Sequence, residues 1–341
     1  MQFQLPIEIM ALPKRISYQE KILLMGSCFT EHIGDELEEL KFRVLQNPNG
    51  ILFDPSSVCR SLISYIQNRQ YTEADLFLLN EVWHSWQHHS RFSNINAKEC
   101  LRIINESQNR AHTFLNEADW IIITLGTSFS YCLSDLAGSS KASPSIFMEK
   151  GQGGEVANCH RAPAQWFNKQ LLEIDEIITM LEDCCQRLLK FNPKLNIIFT
   201  ISPVRHIRDG IIENNRSKAR LIEAVHNLVN KSDHLHYFPA YELLIDVLRD
   251  YRFYDIDLVH PNYMATEFVL DKFAEACIDP EAQQLMQEIK KIVIAGNHKA
   301  FQPETNAHRQ FLLLHFEKTK ALQTKYPFLD LKKELAYFSR S

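Results

Sequence analysis

The sequence predicts an α/β fold built on a five-stranded parallel sheet, and three observations carry that reading. Apolar runs over residues 21–25, 120–125 and 195–201 stop abruptly at Gly26, Gly126 and Ser202. Such runs, continuous rather than alternating, fit strands buried on both faces. Helical patterns lie between them, and alternation of strand and helix implies parallel strands joined by right-handed crossovers.

The elements follow in order. Residues 21–25 (KILLM) form the first strand and Gly26 the turn. Residues 29–40 are helical, with Phe29, Ile33, Leu37 and Leu40 along one side. Residues 42–46 are the second strand, closed by Asn47-Pro48-Asn49-Gly50. A first insertion, about 56–118, carries helices near 56–68 and 98–117 and aromatic-rich extended segments around Val82–Phe92. Residues 120–125 (WIIITL) are the third strand. A second insertion, about 128–165, reads as irregular and includes Gly138 and Gly151. A helix over 172–190 leads to the fourth strand, 195–201, and a helix over 213–231 to a short fifth strand, 235–239. Helices follow at 241–250 and 262–276, with Asp257 to His260 in a loop and Pro261 in the first turn of the last helix. Residues 1–279 are expected to form the main domain. Residues 280–341 are helical without a strand, an appendage packed on the domain or available for self-association or a partner.

The 341 residues carry a net charge of −5, 45% hydrophobic and 23% charged residues, values of an ordinary globular chain. No long basic run marks a nucleic-acid binder. No apolar stretch approaches the roughly 18 residues of a spanning helix, so no membrane partner is expected. The first residues, MQFQLPIEIMALPKR, lack the pattern of a secretory leader, and a cytoplasmic location is expected. The eight cysteines are scattered without a CxxC pair, which fits reduced, buried thiols rather than a disulfide framework or zinc ribbon.

In an open parallel sheet, ligands bind beyond the carboxyl ends of the strands. Ser27, Asn47 to Gly50, Gly126-Thr127, Ser202-Pro203 and the Asp257–His260 loop all fall there. A serine hydroxyl needs an adjacent base to act as a nucleophile. Histidine suits that task, and a carboxylate on its other ring nitrogen fixes the tautomer. Asp257 and His260, three apart at a helix entry, can face the same way. Candidate oxyanion donors are the N–H groups of Ser27 and Gly50 and a group at Thr127. The plainer reading of Ser27 is a helix cap, and that of Asp257-x-x-His260 a capping or surface pair.

The segments Gly26-Ser27-Cys28-Phe29, Asn47-Pro48-Asn49-Gly50-Ile51, Thr124-Leu125-Gly126-Thr127, Val156-Ala157-Asn158-Cys159-His160, Ser202-Pro203-Val204-Arg205-His206, Ser217-Lys218-Ala219 and Asp257-Leu258-Val259-His260-Pro261-Asn262 stand in one order. Together they resemble the GSCFA-domain family of bacterial proteins, over about residues 1–275. That family looks like a branch of the SGNH/GDSL hydrolases, which implies a flavodoxin-like three-layer α/β/α sandwich. By that resemblance Ser27 matches the nucleophile, Asp257 and His260 the Asp-x-x-His pair, and Gly50 the second-block oxyanion glycine. The chain departs from the superfamily in two places. Met25-Gly26-Ser27 replaces Gly-Asp-Ser. Gly126-Thr127-Ser128 lacks the usual asparagine, leaving Thr127, Ser128 or Asn158 for the third donor.

The expected activity is that of an esterase-like serine hydrolase with a Ser27-His260-Asp257 triad. It would act on an acyl ester carried by a small molecule or carbohydrate, with no cofactor. The rival readings are a non-catalytic binding protein on the same scaffold and an acyltransferase. Asn158, His160 and Arg205 are candidate pocket residues, Arg205 for an anionic group or a carboxylate. Lys218 on its helix either serves the same purpose or, the favoured reading, lies on a solvated face. Cys28, the rival nucleophile, should point into the core. Trp83, Trp86, His84, His88 and His89 make either a carbohydrate platform or a small core of the insertion. A metal site from the three histidines is a further alternative.

Overall fold

The computed structural model describes residues 5–134 and 154–339 of the chain. Gly138 and Gly151 lie outside them. Strand β1 (Lys21–Gly26) runs into helix α1 (Cys28–Glu39) and then β2 (Arg43–Gln46). Helix α2 (Pro55–Gln67) starts at Asp54, whose carboxylate accepts the Ser57 N–H at 3.0 Å. The first insertion adds a short antiparallel hairpin, β3 (Phe77–Leu79) and β4 (Val82–His84), before helix α3 (Ala97–Glu117). After β5 (Trp120–Leu125) comes a second antiparallel pair, β6 (Phe129–Leu133) with β7 (Phe167–Leu171). This pair stands where the sequence suggested irregular chain. Helix α4 (Ile174–Phe191), β8 (Asn196–Ile201), α5 (Ile211–Val229) and β9 (Leu235–Tyr237) complete the alternation.

Where one helix was expected over 241–250, α6 (Ala240–Glu242) widens into a π-type turn, Leu243–Leu248. Helix α7 (Tyr263–Cys277) is capped by Asn262, so Pro261 precedes the cap instead of entering the first turn. Helices α8 (Pro280–Asn297), α9 (Asn306–Lys325) and α10 (Lys332–Phe338) end the described chain.

The main sheet has five strands in the order β2-β1-β5-β8-β9, every neighbouring pair parallel. Counted along the chain, that order is 2-1-3-4-5, the flavodoxin-like arrangement. Strand order reverses between β1 and β5, which opens a crevice beyond their carboxyl ends.

Side chains of each strand alternate between two cores. Ile22, Leu24, Trp120, Ile122 and Ile198 face α1, α7 and the helices after residue 279. Leu23, Met25, Ile121, Ile123, Ile197 and Phe199 face α2, α3, α4 and α5. The result is three layers. The C-terminal helices share the first core through Ile289, Ile292 and Phe338, and Lys41 pairs with Glu334 at 2.7 Å. Among the described residues no helix is long and apolar enough to cross a membrane.

Candidate active site

The turn after β1 is dictated by Gly26. Its φ is +142°, and a Cβ there would overlap the carbonyl of Thr124, its register partner on β5. Only glycine meets both demands without strain. Ser27 follows as the N-cap residue of α1, with φ −69° and ψ 173°, yet its side chain caps nothing. The hydroxyl instead donates to Ser202 Oγ at 3.0 Å, across the sheet at the end of β8. Ser27 is 2% exposed. The capping explanation for this serine therefore does not account for where its hydroxyl points.

Asp257 and His260 form a close pair. Asp257 Oδ1 accepts the N–H groups of Val259 and His260 at 2.9 and 3.0 Å, and Oδ2 lies 2.6 Å from His260 Nδ1. Leu258 between them takes a left-handed φ of 59°, which folds the carboxylate back onto the ring. Hydrogen bonds from the His260 ring, and then from the two backbone N–H groups, lower the Asp257 pKa to about 2. The carboxylate is therefore ionised at neutral pH. With Nδ1 engaged, Nε2 is the ring atom left for proton transfer.

Arg205 anchors this loop. Its N–H donates to Val259 O at 3.3 Å and its guanidinium to Leu258 O at 3.2 Å. The guanidinium also lies over the Tyr254 ring, 4.0 Å from its centroid. Arg205 thus orients the Asp257–His260 loop through carbonyl groups rather than through a carboxylate. The structure brings Asp257, His260 and Arg205 together, while the hydrogen bonds of Ser27 run to Ser202 and Thr124 and not to His260.

The expected oxyanion donors are already engaged. The Ser27 N–H donates to Thr124 O at 3.3 Å, and the Gly50 N–H to Asn47 O at 2.7 Å. Gly50 has φ +85° and packs so closely on His89 that a Cβ would overlap its side chain. Asn47 supports the turn after β1, its Oδ1 accepting the Gly26 N–H at 2.9 Å. Thr127 and Ser128 turn toward α5: Thr127 Oγ1 lies 2.8 Å from Ser217 Oγ, and the Ser128 N–H donates to the same oxygen at 2.7 Å.

Asn158 and His160, in the second insertion, pack onto the first. Asn158 Oδ1 accepts the His160 N–H at 2.9 Å. The His160 ring sits between Ser90 Oγ at 3.0 Å and Ser85 O at 2.8 Å. Burial lowers its pKa to about 4, so it is neutral. Trp86 stacks on Phe77 at 3.6 Å, and His88 is buried against Ser85. These rings pack on one another as a small core of the insertion. Among the described residues no group of three or more His, Cys, Asp or Glu side chains is placed to hold a metal ion. The Cys28 thiol is raised, chiefly by burial, which disfavours its nucleophilic form.

One residue at the site was misjudged from sequence. Lys218, expected on a solvated face, is 1% exposed. Its Nζ donates to Gly126 O at 2.5 Å and to Ser202 O at 2.6 Å. Its neighbours Arg216 and Arg220 disguise it as one more surface cation. A sequence signal was the adjacent Ser217, a small residue that is buried on the same face of α5.

The profile of the GSCFA family matches residues 21–273, and that of the GSCFA domain protein, C-terminal domain, matches residues 289–341. No curated protein matches the chain. Among solved structures, the chain is similar to a carbohydrate esterase family 3 from Talaromyces cellulolyticus. Identity is 9%, coverage 80% of this chain and 99% of that one, and the TM-score 0.35.

Proposed function

Since the chain belongs to the GSCFA family, with the family match running from β1 into α7, we propose that it is an esterase-like serine hydrolase of the SGNH/GDSL type. The observation that carries this reading is the Asp257–His260 pair at 2.6 Å, which leaves Nε2 as a base on the rim where Ser27 stands. In the proposed reaction the Ser27 hydroxyl leaves Ser202 and passes its proton to His260 Nε2 while Oγ attacks an ester carbonyl. Asp257 holds the ring and stabilises the imidazolium. The alcohol departs with the proton from His260, and water then releases the acyl group by the same route. An acyltransferase would differ only in accepting another alcohol in place of water.

The proposed oxyanion donors are the N–H groups of Ser27 and Gly50, aided by the N-terminus of α1. The Ser27 bond to Thr124, at 3.3 Å, is the weaker of the two present bonds and the easier to exchange. Thr127 Oγ1 is engaged with Ser217, and Asn158 Oδ1 with the His160 N–H. The substrate is proposed as an acyl ester. For the carbohydrate version, one face of Trp86 is covered by its stacking on Phe77.

The Ser27–Ser202 bond favours one other reading, a binding protein on this scaffold whose serine never meets a base. A fluorophosphonate probe separates the two. Wild type should label, Ser27→Ala should not, and His260→Ala should label about a thousandfold more slowly or worse. Labelling that persists in Ser27→Ala would sink the nucleophile assignment. Folded wild type that never labels would leave the binding protein.

A further inference from the structure

Lys218 stands apart from the other cations of this protein. It is fully buried on α5, and among the described residues no carboxylate pairs with it. Its two bonded partners are the carbonyl oxygens of Gly126 and Ser202, at the carboxyl ends of the adjacent strands β5 and β8. Carbonyl groups satisfy its N–H donors without cancelling its charge. A buried charge lacking a counter-ion is costly, and proteins keep one mainly where it has work to do. The groups facing it are the Cys28 thiol from α1 and the His206 ring from the loop after β8. His206 is itself neutral, its pKa lowered to about 3 by burial first and by Lys218 second.

The location relates this cation to the nucleophile. Ser202 gives its carbonyl to Lys218 and its hydroxyl oxygen to Ser27. Ser27 is therefore linked to the ammonium through one residue and two hydrogen bonds. We propose that Lys218 is a positioning residue of the Ser27 site: it clamps the ends of β5 and β8, so placing Ser202 against Ser27, and, while protonated, supplies positive charge where negative charge forms during acyl transfer. This inference rests on the serine-hydrolase reading and adds to it a cation in the neighbourhood where the usual third-block asparagine is missing. Charge placed in advance in a water-poor site acts on developing negative charge without reorganisation.

Burial lowers the Lys218 pKa to about 7, so its charge is lost as pH rises through neutrality. A clamp that is only structural would leave the pH profile unchanged when the charge is removed. The test is the labelling rate of wild type and Lys218→Met from about pH 5.5 to 9.5, with kcat and KM for an uncharged ester at each pH. In wild type the rate should fall above about pH 7 as Lys218 loses its proton. In Lys218→Met, kcat at neutral pH should drop about tenfold or more, KM should change by less than about twofold, and the alkaline fall should vanish.

An alkaline fall that survives unchanged in Lys218→Met would overturn the inference. If that variant does not fold, wild type decides alone. A lysine Cε resonance in carbon-13 NMR should titrate with the midpoint of the alkaline fall, and Ser27-dependent labelling that stays flat to high pH would overturn the proposal. That outcome leaves the hydrolase reading standing. Absence of labelling at every pH would remove both.

Discussion

At the scale of single residues, the site depends on backbone positions that few side chains tolerate. Gly26 combines φ +142° with contact against the Thr124 carbonyl. Gly26→Ala should therefore lower stability by about 1–3 kcal/mol from the backbone conformation alone. The overlap with Thr124 should add to that cost and displace Ser27. A urea midpoint equal to wild type, with the slope unchanged, would contradict this. The Gly26-Ser27 turn was legible in the sequence because strand end, glycine and helix start are adjacent residues. The Asp257–His260 pair was legible for the same reason, being three residues apart. Lys218 was not, since its burial comes from carbonyl groups on two strands, 92 and 16 residues away.

Among the elements, the two packed insertions carry a pH dependence. His88 and His160 are both buried, and burial lowers their pKa values to about 3 and about 4. The unfolded-state value is about 6.5. Between the folded and unfolded values, the unfolded chain binds more protons, so stability rises with pH in that window. These two residues therefore add nothing above about pH 6.5, and stability falls as pH drops toward 4 and then 3. His206, with a value of about 3, adds to the same loss at the active-site rim. Thermal midpoints measured from pH 7 to 4 should decline, and the decline should be shallower in His88→Gln. A slope identical in the two proteins would show that the buried ring is not its source. The β6–β7 pair teaches a separate lesson: Phe129 pairs with Leu171, 42 residues along the chain. No local turn signal advertises a pairing of that span, whereas the continuous apolar runs of β1, β5 and β8 need no partner to be recognised.

For the whole molecule, the helices after residue 279 are part of one hydrophobic core. Phe338, in the last helix, is fully buried and clusters with Leu331, Ile292 and Leu312. Phe338→Ala should cost about 3–5 kcal/mol, the range for truncating a buried aromatic ring. A loosely attached tail would show almost no change in the unfolding midpoint, so the measurement separates the two arrangements. The sequence by itself determined the parallel α/β architecture, the rim where the strands end, and the Ser, Asp and His types gathered on it. Those features follow from apolar runs and from backbone sterics within a few residues. Tertiary structure decided which partner each polar group takes. Ser27 bonds to a serine 175 residues away rather than to His260, Arg205 holds the base loop by its carbonyls, and Lys218 lies buried between two strand ends. A hydrogen bond or a desolvated charge is set by three-dimensional neighbours, and composition or periodicity along the chain does not encode them one residue at a time.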